Sequence, residues 1–165
     1  VIRQRYGRIR KAGFDTIPES WNMQGARTWD ERGWKTMVSR SVALMPGPVY
    51  ATGRWVLGIG SLAPGSEQVE IAPRPGDLQW AEGSVPTGKG NVSVSWKHDK
   101  DMFRLECDLP DGVEGIVVLP FKSNDLKQIR VNGQDVAPDD TDADGKPMLS
   151  VCRQSLIECS AAGQN

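Results

Sequence analysis

The hydrophobic period of this chain changes once, and the change limits its fold more than any other feature. Ahead of Pro64-Gly65 the apolar residues recur at helical spacing. Ile2, Tyr6 and Ile9 share one face, and Trp34, Met37, Val38, Val42 and Met45 share another. Gly13 offers a C-terminal stop for the first helix. Pro46-Gly47-Pro48 interrupts the second, and Pro48 suits the first turn of a following helix carrying Val49, Gly53, Val56 and Leu57. Gly58-Ile59-Gly60 is read as its stop. After Pro64-Gly65 the period is two: Val69 and Ile71 flank Glu70, Val92, Val94 and Trp96 alternate with serines, and Phe103, Leu105 and Cys107 alternate with Arg104 and Glu106.

Turn clusters punctuate this second part. They are Pro75-Gly76-Asp77, Gly88-Lys89-Gly90, His98-Asp99-Lys100, Pro110-Asp111-Gly112 and Asn132-Gly133, the last a strong hairpin signal. Half-buried strands between regular turns predict an antiparallel β-sandwich of about seven or eight strands, preceded by two or three α-helices. Ile116-Val117-Val118-Leu119 reads as a more buried strand, and Trp80 and Trp96 as sandwich core.

Charge changes at the same place. Residues 1–62 carry ten Lys/Arg against four Asp/Glu, and residues 63–165 carry ten against seventeen, giving +6 and −7 and the net −1 of the whole. We therefore expect a helical part over 1–62 and a sandwich over 63–165. Leu57, Ile59 and Leu62, at the end of the last helix, are expected to hold the two together by apolar contact.

With 38% hydrophobic and 25% charged residues, the composition excludes a disordered tail, and no apolar run approaches the length of a membrane-spanning helix. The near-zero net charge gives no reason to expect nucleic acid, and the basic stripe Arg3, Arg5, Arg8, Arg10 and Lys11 reads as a solvated helix face. Three cysteines without metal-ligand spacing and one histidine, His98, argue against a zinc site. Asp139, Asp140, Asp142 and Asp144 alternate in a loop, yet the calcium-loop pattern with its terminal Glu is missing, so a solvated hairpin loop is expected. No metal or cofactor is expected. The chain opens at Val1 directly in a helical pattern, with no starting Met and no apolar leader, which reads as a record beginning within a longer protein.

The segment Gly76-Asp77-Leu78-Gln79-Trp80-Ala81-Glu82-Gly83-Ser84-Val85-Pro86-Thr87, followed by Gly90-Asn91-Val92-Ser93-Val94-Ser95-Trp96, resembles the C-terminal β-sandwich of bacterial α-L-rhamnosidases. Gly47-Pro48-Val49-Tyr50 and Arg54-Trp55-Val56-Leu57-Gly58-Ile59 are similar to the last helix of that family's (α/α)6 catalytic barrel, and Thr16-Ile17-Pro18-Glu19-Ser20-Trp21 to its Thr-x-x-Glu-x-Trp segment. The resemblance runs from about Ile2 to Gly133. It implies the C-terminal portion of an enzyme that hydrolyses terminal α-L-rhamnosyl groups with inversion, acting on a rhamnose-containing glycoside or polysaccharide. Inversion needs a protonated carboxylic acid on the leaving oxygen and a carboxylate base that activates water. The resemblance places Glu19 at the base position and Trp21 as a wall against a sugar face, with Trp29 a further substrate-binding candidate. The matching acid would lie in the missing upstream barrel, so the chain alone is not expected to be catalytically self-sufficient. The alternative is a non-catalytic carbohydrate-binding or structural accessory sandwich.

Overall fold

The computed structural model describes Lys11 and residues 47–161. Gly47–Tyr50 belongs to one compact unit of the chain and everything from Ala51 onward to a second. A short helix, α1 (Gly47–Ala51), carries Pro48 in its first turn and runs into one wider turn, Thr52–Val56, closed by the Leu57 amide donating to the Thr52 carbonyl at 2.9 Å. Gly58 ends the turn at φ +86°. The chain then continues as a strand.

Among the described residues eleven strands follow: β1 (Ile59–Ser61), β2 (Gln68–Ile71), β3 (Trp80–Thr87), β4 (Gly90–Asp99), β5 (Met102–Asp108), β6 (Glu114–Val118), β7 (Leu126–Val131), β8 (Gln134–Asp135), β9 (Asp140–Thr141), β10 (Pro147–Cys152) and β11 (Ser155–Ala161). Eight of them have four residues or more, in line with the expected count; β1, β8 and β9 are shorter edge pieces. They form a five-stranded sheet in the order β1-β2-β6-β10-β9 and a six-stranded sheet in the order β3-β4-β5-β11-β7-β8.

All pairings are antiparallel except β2 with β6, where Val69 lies opposite Gly115 and Ile71 opposite Val117. A parallel pair needs a long crossover. Here the crossover contains the whole β3-β4-β5 meander of the other sheet. Ala63-Pro64-Gly65, where composition and charge change, belongs to the link between β1 and β2, which pair antiparallel.

Alternation decides which side chains enter the core. In β5, Phe103, Leu105 and Cys107 point inward and Arg104, Glu106 and Asp108 outward. The six-stranded sheet contributes Val92, Val94, Trp96, Ile129, Ile157 and Cys159, and the five-stranded sheet Val69, Ile71, Val117, Leu149 and Val151. Asn132 (φ +52°) and Gly133 (φ +81°) make the expected two-residue hairpin turn between β7 and β8. Asn132 also exchanges hydrogen bonds with Leu156 of β11, its Oδ1 accepting from the amide at 2.9 Å and its own amide donating to the carbonyl at 2.8 Å.

Leu57 and Ile59 are buried in the core, as expected, whereas Leu62 is 50% exposed because it lies beyond β1 in the link to β2.

Candidate functional site

Glu19, Trp21 and Trp29 lie outside the described residues, so the site is built from residues 47–161. Two of the expectations made for Trp residues part company here. Trp96 is 1% exposed, in the middle of β4. Trp80 is 64% exposed, a correction to its reading as core. The cause is strand parity: in β3, Ala81, Gly83, Val85 and Thr87 take the more covered side, and Trp80 shares the outer face with Glu82, Ser84 and Pro86. The polar character of Glu82 and Ser84 was the signal that placed Trp80 outside.

Registration turns this outer face into ordered rows. Trp80, Lys97 and Arg104 are direct neighbours across β3, β4 and β5, and Glu82, Ser95 and Glu106 form the next row. Ser84, Ser93 and Asp108 form a third. Arg104 is engaged: its guanidinium reaches Glu106 at 2.8 Å and Glu158 of β11 at 3.3 Å. The hydrogen bond it donates to Glu106 is the main reason its pKa is raised. Farther along the sheet Arg130 holds Asp135 at 2.8 Å; that bond, with a second from Gln128, depresses the Asp135 carboxyl. In contrast, the side chains of Glu82, Lys97, Ser93, Ser95 and Asp108 make no hydrogen bond or ion pair among the described residues.

The first two rows line an open cleft of about 540 Å³. It is continuous, through Glu82, Ser95 and Glu106, with a groove of about 750 Å³ that runs over Ser93 toward Asp108 and Leu156. Small serines form the floor and longer acidic side chains the walls. The carboxylates of Glu82, Glu106 and Asp108 stand in open, solvent-facing rows.

A second aromatic surface lies where the helical turn meets the sandwich. The Trp55 ring is flanked by the Arg54 guanidinium at 4.8 Å and that of Arg74 at 4.3 Å. Arg54 also pairs with Glu70 at 2.7 Å. These contacts are satisfied among themselves and tie the turn to β2.

The acidic loop behaves as a hairpin loop. The Asp142 carboxylate accepts from the amides of Asp144 and Lys146, and Asp139 from that of Ser150. Among the described residues no cluster of three or more His, Cys, Asp or Glu could hold a metal ion. His98, expected in a turn, lies on β4 with its ring edge-on to Phe103 and Phe121. Cys107 and Cys159 are buried and Cys152 is exposed. No described helix is long and apolar enough to cross a membrane.

A family model described as the bacterial alpha-L-rhamnosidase C-terminal domain matches residues 58–134. Over 79 residues the chain is 34% identical to an alpha-L-rhamnosidase of Alteromonas sp. (strain LOR), a match covering 43% of this chain and 9% of that protein. Among solved structures, an alpha-L-rhamnosidase from Dictyoglumus thermophilum aligns with a TM-score of 0.73 at 19% identity, covering 94% of this chain and 17% of the other. The Streptomyces avermitilis alpha-L-rhamnosidase, solved in complex with L-rhamnose, aligns with a TM-score of 0.71 at 22% identity, covering 93% of this chain and 14% of the other. The chain therefore spans less than a fifth of the length of each of these proteins.

Proposed function

Since the chain carries the C-terminal sandwich domain of the bacterial α-L-rhamnosidases, we propose that it is the C-terminal portion of an enzyme that hydrolyses terminal α-L-rhamnosyl groups with inversion. In this reading the helical residues of the 1–62 segment are the end of an (α/α)6 barrel, and residues 63–165 lie in the sandwich that follows it. Glu19 is the base that activates water, and Trp21 and Trp29 are apolar walls against the sugar. The acid that protonates the leaving oxygen comes from the upstream barrel, since inversion needs two carboxyl groups on opposite faces of the bond. The substrate is a rhamnose-containing glycoside or polysaccharide.

The observation that carries the reading is the family match over residues 58–134, which begins where the helical turn passes into β1. The Trp96–Val56 hydrogen bond supports it, because it seats the end of a helical segment on the sandwich.

The test is an aryl α-L-rhamnoside assay on two proteins. The 165-residue chain alone is expected to show no turnover. A version extended through the coding sequence upstream of Val1 is expected to hydrolyse the rhamnoside, with the anomeric configuration inverted in the product, and Glu19→Gln is expected to abolish that activity. Glu19-dependent turnover by the chain alone, or an extended protein inert toward rhamnosides, overturns the proposal.

A further inference from the structure

We propose that the outer face of the six-stranded sheet is a binding site for a neutral saccharide, with Trp80 as the stacking platform and the groove along β4 as the cradle. Three observations combine. Trp80 is the most exposed of the described tryptophans and lies at one end of the groove. Glu82, Lys97, Ser93, Ser95 and Asp108 present side-chain hydrogen-bonding groups that have no partner among the described residues. The floor is lowered because Ser95 lies between the longer Glu82 and Glu106 on the flanking strands, and Ser93 lies between Ser84 and Asp108.

The chemistry selects the ligand. A pyranose ring offers a C–H face to an indole and a rim of hydroxyls, which matches one aromatic surface surrounded by both donors and acceptors. Hydroxyls donate to the Glu82, Glu106 and Asp108 carboxylates and accept from Lys97. Acidic walls disfavour a uronic acid or phosphate, because Arg104 is already held by Glu106 and Glu158. A protein partner fits less well: interface cores are depleted in Lys, Glu and Asp, and here those residues surround Trp80. The three rows span about 13 Å along the strands, the length of a disaccharide or trisaccharide. The platform is stiff, since Trp80 is fixed by a strand and has only two side-chain torsions to order. None of this depends on what an upstream barrel hydrolyses.

The experiment is a titration of the 165-residue chain, followed by indole N–H resonances, with rutinose, cellobiose and trigalacturonate as probes. We expect a saturable shift of the Trp80 indole with at least one neutral disaccharide, and binding of trigalacturonate at least about tenfold weaker. Trp80→Ala should weaken binding of the neutral sugar by about tenfold or more. Ser95→Tyr, which keeps Trp80 but fills the floor, should do the same, and it decides the matter if Trp80→Ala perturbs the fold. The absence of a saturable response to either neutral sugar up to ~100 mM overturns the inference. So does equal binding of the acidic trimer, or binding lost in Trp55→Ala and retained in Trp80→Ala. A wild-type dimer that Trp80→Ala dissociates, without any saccharide response, would assign the face to a second copy of the chain instead.

Discussion

The indole nitrogen of Trp96 donates a 2.8 Å hydrogen bond to the carbonyl oxygen of Val56. The two groups solve each other's problem. A carbonyl at the end of a helical turn has no partner within that turn, and the single N–H of a buried indole needs an acceptor. The bond joins the centre of β4 to the residue that precedes Leu57, whose side chain reaches Gly83 on β3. Any Cβ at Gly83 would meet Leu57 Cδ1 at 2.9 Å, so the turn is fitted to β4 at Val56 and to β3 at Leu57, two successive residues.

Trp96→Phe should therefore cost more than the change in volume alone. It removes the donor and leaves the Val56 carbonyl short of a partner, which together with partial loss of packing predicts a destabilisation of about 2–3 kcal/mol. Urea unfolding followed by circular dichroism should show a lower midpoint with an unchanged slope.

Gly58→Ala should be far more damaging than Gly133→Ala, although both glycines have positive φ. A Cβ at Gly58 would lie 2.3 Å from the backbone carbon of Ala72 and the nitrogen of Pro73, whereas nothing lies within 4 Å at Gly133. The Ala72 amide also donates to the Gly58 carbonyl at 3.0 Å, so the two segments cannot part without losing that bond. We expect about 1 kcal/mol for Gly133→Ala and more than about 3 kcal/mol for Gly58→Ala, measured as the difference in unfolding free energy.

The thiols predict a pH dependence with a definite sign. Burial pushes Cys107 up to about 11, partly opposed by a backbone hydrogen bond from Ser155, and burial pushes Cys159 up to about 12. The unfolded chain therefore releases these protons first, near the ordinary value of 9.0. Stability from the neutral thiols is complete below pH 9 and is lost as pH rises through the folded-state values, at up to about 1.4 kcal/mol per pH unit for each. Unfolding midpoints compared between the chain and a Cys107→Ala/Cys159→Ala variant should converge as pH is raised from 9 toward 11. At pH 8 a thiol reagent should modify Cys152 rapidly and the other two only after denaturation.

Much of the sandwich is legible in the residues, and the exceptions have physical causes. The alternations around Val92–Trp96 and Phe103–Cys107 become β4 and β5, and Asn132-Gly133 becomes the turn between β7 and β8. Strands β1, β8 and β9 are too short to show a period. The hydrophobicity of Trp80 points to the core, but its strand parity with Glu82 and Ser84, two and four residues on, puts it on the solvent face. The helical segment from Thr52 to Leu57 reads as a helix face, but the strand at Ile59–Ser61 is visible only through its pairing with β2. Of the groove, Trp80, Glu82, Ser95 and Glu106 lie on three different strands, and no spacing within one strand brings them together.

Residues after Gln134 lie beyond the family match, yet they are structurally central. β10 lies between β6 and β9, and β11 lies between β5 and β7. Ending the chain at residue 134, where the family match stops, would strip β6 of its β10 neighbour and split the six-stranded sheet. We expect that truncated protein to lose the cooperative thermal transition, monitored by near-ultraviolet circular dichroism.

The parallel contact between β2 and β6 also sets an order of events during synthesis. The β3-β4-β5 meander can pair hairpin by hairpin as it leaves the ribosome, since each strand meets its neighbour at once. β2 emerges earlier but must wait for β6, which is translated only after that meander is complete. One sheet thus grows hairpin by hairpin, whereas the other is joined at β2 and β6 by residues far apart in the chain, and closing a long loop slows the second. The nascent β1-β2 hairpin spends that interval with Val69 and Ile71 uncovered, so it is the part of a growing chain that a chaperone would find first.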